Sequence, residues 1–265
     1  WFTSIPAVVF HRRSRGLMKL QHKFPRGALA LLVILLTACG GGSTQPKERP
    51  LSQDEAAQLA QTMYLNFEKT GASFEVNTII APGQGSLRLT GIIDWKNHVG
   101  HANVVASQQN ATLTEVVWVK SAVAERRPAF DVQLASLGAQ APIFLLRKPN
   151  MQKRLDQVIS VVMGLATEQP ENSQLILQKA GSAFLREDVL AGKPVVVLRY
   201  GERNIFWIEK ETGLLLRLEG SNSAGTQPIV VDLRSHGEQK VGFPAQKYLV
   251  NAEADPNLLA LTNAF

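Results

Sequence analysis

Cys39 is the only cysteine among the 265 residues, so its thiol has no intramolecular disulfide partner and is free for acylation or redox chemistry. It closes Leu36-Thr37-Ala38-Cys39, where short side chains leave the backbone accessible, and precedes Gly40-Gly41-Gly42. The other chemically capable groups form no comparable pattern. His98 and His101 are three apart; on extended backbone they point to opposite faces, and no third ligand lies close by, so they read as solvated turn histidines and no metal site is expected. Ser182, Ser235 and His236 lack the Gly-x-Ser-x-Gly spacing of a nucleophile elbow. No catalytic residue and no cofactor are expected. Trp95, Trp118 and Trp207 read as core or cavity wall rather than as stacking platforms. Arg126-Arg127 and Arg147-Lys148 read as surface charge that a lipid headgroup could use.

The segment around Cys39 gives that thiol a setting. A basic stretch from Lys19 to Arg26 leads into an apolar run from Ala28 to Leu36, too short to cross roughly 30 Å of hydrocarbon as a helix. This is the layout of a secretory signal. Leu36-Thr37-Ala38-Cys39 resembles the lipobox of bacterial lipoproteins, and that resemblance implies a diacylglycerol-bearing thiol with Cys39 as the first mature residue. The competing reading, a buried free cysteine at the end of a core helix, does not account for the uncompensated cations upstream. Arg12-Arg13 stands too far from the apolar run for a twin-arginine signal. Since the sequence opens on Trp1 and a start at Met18 gives a signal of ordinary proportions, residues 1–17 are expected to be an untranslated extension. Residues 18–38 then form the signal peptide, and 39–50 a lipidated flexible tether. A single domain is expected over 51–265.

Charge placement removes one class of partner. Six of the 28 Lys and Arg precede Cys39 and none of the 22 Asp and Glu does, so residues 39–265 carry 22 of each sign. The basic excess belongs to the leader, and no nucleic-acid partner is expected.

Within the mature region, Ser52-Gln53-Asp54-Glu55 reads as a capping box. Ala56, Leu59, Ala60, Met63, Tyr64 and Phe67 follow at helical spacing, and Gly71 stops the run. From Phe74 to Trp118 the period becomes alternating. Leu87, Leu89 and Ile93 share one face of a strand, and Ala102, Val104 and Ala106 one face of another, with a further strand from Thr112 to Val119. A second amphipathic helix is expected from Met151 to near Ala166, with Leu155, Val158, Ile159 and Val162 on its stripe. Strands resume at Leu175–Lys179, Pro194–Tyr200, Asn204–Glu209, Leu214–Glu219 and Pro228–Arg234. The predicted class is α+β: a large curved antiparallel sheet, a half-barrel, with helices covering its concave face and any remaining space forming an apolar cavity.

From Asp54 to Asn251 the chain resembles the lipid-binding lipoproteins of the LppX/LprG family and, more distantly, the LolA/LolB lipoprotein carriers. The resemblance rests on the run from Gly85 to Trp95 leading to Gly100-His101-Ala102-Asn103-Val104, on Phe206 to Leu218, and on Ile229 to Gly237 followed by Phe243-Pro244. It implies a monomeric half-barrel, anchored to a membrane on its extracytoplasmic side, that binds the acyl chains of a lipid, glycolipid or lipidated protein. It supplies no catalytic residues. Strand and helix parity alone nominates Leu87, Leu89, Val104, Trp118, Val158, Val162, Phe206, Ile208, Leu216 and Val231 as cavity lining. The alternative of another class is a LolA-like envelope sensor or scaffold with a filled core.

Overall fold

The computed structural model describes residues 48–107, 114–221, 225 and 227–262. The expected extension, signal peptide and Cys39, together with most of the tether, lie outside the described residues.

Helix α1 (Gln53–Glu68) starts where the capping box places it: the Ser52 hydroxyl accepts from the Glu55 amide at 3.2 Å, and the Glu55 carboxylate accepts from the Ser52 amide at 2.9 Å. Both groups would otherwise be orphaned donors of the first turn. Thr70, in the left-handed region at φ 70°, reverses the chain. It then enters β1 (Gly71–Ile79), β2 (Ser86–Asp94), β3 (Val99–Ala106), β4 (Thr114–Val119), β5 (Ala122–Arg126) and β6 (Phe144–Arg147), each antiparallel to the one before. A short helix α2 (Asp131–Ala135) lies between β5 and β6.

Helices α3 (Arg154–Met163) and α4 (Ser173–Gln178) separate this meander from a second: β7 (Ala183–Leu190), β8 (Lys193–Tyr200), β9 (Asn204–Glu209), β10 (Leu215–Ser221) and β11 (Pro228–Arg234). β11 pairs with β1, which joins the meanders into one sheet of twelve strands in the order β12-β6-β5-β4-β3-β2-β1-β11-β10-β9-β8-β7. The last strand, β12 (Leu249–Asn251), lies parallel to β6, so the sheet is mixed at this edge and not purely antiparallel as expected. Helix α5 (Pro256–Leu261) follows. No helix among the described residues is long and apolar enough to cross a membrane.

Two further expectations are corrected. Leu175–Lys179 is not a strand; it falls largely within α4, whose first turn is capped by the Asn172 side chain accepting from the Gln174 amide at 2.9 Å. A local cap and one fully buried side chain, Ile176, outweigh a two-residue alternation. The second helix is also shorter than its stripe, because Lys153 and Gly164 flank it.

Alternation divides the strands' side chains between two cores. On the helix-covered face Phe74, Leu87, Leu89, Val104, Val196, Leu198, Phe206, Ile208, Leu215 and Val231 pack with Leu59 and Ala60 of α1 and Leu155, Val158 and Val162 of α3. On the outer face Val195, Val197, Trp207 and Leu216 form a smaller cluster.

Candidate functional site

Nine of the ten nominated lining residues meet in the helix-covered core: Leu87, Leu89, Val104, Trp118, Val158, Val162, Phe206, Ile208 and Val231. Leu216 does not. Leu215 pairs with Ile208 but Arg217 with Trp207, so Leu216 is an extra, bulged residue, and it points to the outer cluster. A bulge moves every later side chain by one position of parity, and Leu215 and Leu218 occupy the inner places instead.

The strands let this interior close tightly. Trp118 of β4 lies across Gly100 of β3, where a Cβ would sit 2.2 Å from the indole ring, and its ring centroid stands 6.1 Å from that of Phe74. Only glycine leaves room there. The Trp118 indole nitrogen is buried and has no acceptor.

Polar clamps hold the helices over the sheet. At the first turn of α3 the buried Arg147 of β6 makes two bonds to Asp156, at 2.6 and 2.7 Å, and reaches Glu125 of β5 at 2.6 Å. Burial works against the charge on Arg147, but the two carboxylates outweigh it and raise its pKa above the ordinary value. Arg154, also in this turn, donates to the Ile79 carbonyl at 3.2 Å and to the Thr78 hydroxyl. Arg147 was expected on the surface; Glu125 and Asp156, distant in sequence, make its burial tolerable. Arg126, its presumed companion, is part-buried and paired with Glu115 at 3.1 Å and Asp131 at 2.7 Å.

The last turn of α3 is held by neutral bonds alone. The Trp95 indole donates to the Val162 carbonyl at 3.0 Å, and the Asn66 amide of α1 donates to the Leu165 carbonyl at 2.8 Å. Beside the middle of α1, where the Glu171 amide donates to the Ala60 carbonyl at 3.0 Å, the phenol of Tyr200 donates to Glu171; burial and that bond push its pKa up to about 12.

A mainly apolar cleft of about 220 Å³ runs between α3 and the β4–β5 turn, lined by Val119, Val123, Pro149, Met151, Ile159 and Met163 together with Lys120, Asp156 and Ser160. Val123 and Ile159 belong to the main core, and Val123 is the cross-strand partner of Trp118. None of the nine packed candidates lines this cleft directly. Sequence parity could not have found it, because it is made by a helix end and a hairpin rather than by one strand face.

The histidines behave differently from one another. His98 occupies an exposed turn at φ 54°, whereas His101 lies within β3, half-buried, 3.1 Å from Glu115.

No protein-family model matches the sequence, and no curated protein matches it. The fold is similar to several solved structures. LprF from Mycobacterium bovis aligns at a TM-score of 0.41 and 12% identity, over 72% of this chain and 97% of that one. The MucA/MucB complex of Pseudomonas aeruginosa aligns at 0.32 and 14% identity, over 73% and 58%. A domain described as outer membrane lipoprotein-sorting from Vibrio parahaemolyticus aligns at 0.28 and 10% identity, over 69% and 92%. Likenesses of this degree bear on architecture alone.

Proposed function

We propose that this chain is an exported lipoprotein, tethered through acylated Cys39, that takes an acyl chain of a lipid, glycolipid or lipidated protein beneath α3 and carries it across the cell envelope. The observation that supports the reading is the apolar cleft under α3, which shares Val123 and Ile159 with the helix-covered core. An acyl chain entering it exchanges water for apolar side chains. Each methylene that follows contributes about 0.8 kcal/mol.

At 220 Å³ the cleft is smaller than the ~300–1,000 Å³ of ordinary ligand sites, so a long chain requires α3 to move. Its first turn carries the charged clamps and its last turn only neutral bonds, so opening starts at Val162 and Met163. The function is binding and transfer, with no chemical step.

The second reading, a scaffold with a filled core, is favoured by the complete burial of Leu87, Leu89, Val104, Trp118, Val158 and Val162. The two separate on purification of residues 44–265. Bound lipid recovered by mass spectrometry, and uptake of a fluorescent fatty acid that Met163→Trp blocks, are the outcomes expected of a carrier; lipid-free protein that refuses the probe would leave the scaffold. For the tether, Cys39→Ala is expected to abolish incorporation of labelled palmitate in cells. Unchanged labelling would remove Cys39 as the acylation site.

A further inference from the structure

A larger cleft, of about 610 Å³, lies on the outer face of the sheet and is independent of the acyl-chain reading. It is bounded by the end of α1, the β7–β8 and β9–β10 turns and the end of β11. Its volume is that of an ordinary small-molecule site. The floor is apolar, made by the buried Leu214 and Leu216.

Four cationic side chains line it against two carboxylates, and both carboxylates are already engaged. Asp232 takes the Arg217 guanidinium at 2.6 and 3.1 Å. Glu209 accepts from the Thr212 hydroxyl at 2.6 Å and pairs with Lys193 at 2.9 Å. Lys69 adds a positive charge at the end of α1, and Arg234, 67% exposed, approaches its carboxylate, Glu75, no closer than 3.8 Å. The cleft is therefore electropositive above a hydrophobic floor, a combination suited to an anion with a short aliphatic body.

His236 narrows the choice. Its Nε2 is buried and has no partner among the described residues, and in the neutral ring one nitrogen donates while the other accepts. Burial and the charges of Lys193 and Lys69 disfavour protonation, against a smaller opposing effect of Glu209. A hydroxyl, which both donates and accepts, satisfies that nitrogen in either neutral tautomer.

We propose that this cleft binds a hydroxyl-bearing phosphate, with the phosphate among Lys69, Lys193 and Arg234, a neighbouring hydroxyl hydrogen-bonded to His236 Nε2, and the carbon skeleton on the leucine floor. Glycerol phosphate has this chemistry, either free or as the headgroup of an anionic glycerophospholipid.

The test is calorimetric titration of the full chain in neutral maltoside micelles. The probes are sn-glycerol 3-phosphate, methyl phosphate, dihexanoyl phosphatidylglycerol and dihexanoyl phosphatidylcholine. Binding of the first or third with Kd below about 1 mM is expected, with methyl phosphate roughly tenfold weaker for want of the hydroxyl. Binding of glycerol phosphate assigns a free ligand; binding of phosphatidylglycerol alone assigns the headgroup. Lys69→Gln combined with Arg234→Gln removes two exposed charges without touching the core and is expected to weaken binding by roughly 10-fold. His236→Phe is expected to erase the preference over methyl phosphate. No heat from either hydroxylated probe at roughly 10 mM, equal binding of methyl phosphate, equal binding of phosphatidylcholine, or unchanged affinity in the double variant would each overturn the proposal.

Discussion

The same strands build two unlike surfaces. On the helix-covered face the strand residues are mostly apolar and dry, and among the described residues the charges of Arg147, Glu125, Asp156 and Arg154 are enclosed at its margin. On the outer face the alternating positions carry Arg217, Asp232, Glu209 and Arg234 above a thin leucine layer, and half-exposed charges remain in reach of solvent. Trp207 shows the contrast within one strand: its neighbours Phe206 and Ile208 are locked in the main core, while its own ring lies under the guanidinium groups of Arg186 and Arg217 at 4.9 and 5.6 Å. A hydrophobic interior suits acyl chains, and charges ranged above an apolar floor suit headgroup-like ligands. One sheet can offer both because successive side chains of a strand point to opposite sides.

The comparison breaks most visibly at the clamps. Arg147→Ala strands two buried carboxylates and is expected to lower stability by about 3–5 kcal/mol. Arg217→Ala, which removes a half-exposed pair with Asp232, should cost only about 0–1 kcal/mol. Urea denaturation of both variants measures the difference, and equal losses would erase the distinction drawn between the faces.

A smaller effect is expected at the glycines. Gly100→Ala drives a methyl into the Trp118 ring and should cost about 1–3 kcal/mol by overpacking, with loss of fluorescence probes bound in the interior. Gly242, beside which nothing lies within 4 Å, should accept alanine with little change. Similar melting temperatures for the two variants would show that the Trp118 contact is not tight.

The smallest effect is a pH dependence on the outer face. Burial first, and Lys193 next, hold the His236 pKa below its ordinary value in the folded state. The unfolded chain therefore binds the extra proton more readily, and stability falls as pH drops below about 6.5. Glu55, Glu75 and Glu209, all held below the usual carboxylate range by hydrogen bonds that outweigh burial, keep their charge over this window. Denaturation at about pH 7.5 and about pH 5.5 should show a drop that His236→Phe reduces; an identical drop in that variant would exclude His236 as its source.

Features that depend on near neighbours are legible in the sequence itself. The Ser52/Glu55 capping box, the alternation of Leu87 and Leu89 with Arg88 and Thr90, and the stripe of Val158 and Val162 arise from bonds and periods spanning four residues or fewer, so they hold in any tertiary setting. Only the assembled molecule decided the rest. Leu216 changes sides because β9 and β10 pair out of step by one residue, a property of two strands and not of either alone. Phe144–Arg147 gave no strand signal because it is covered on both faces, so its residues do not alternate. Arg147 is interior because Glu125 and Asp156, 22 and nine residues away, arrive to neutralise it, and β12 pairs with β6 across a separation that no local pattern spans. Local order comes from the chain's own short-range geometry; which side chains face the dark interior and which the solvent is settled by long-range pairing, where the cost of an unpaired charge or a displaced methyl is first felt.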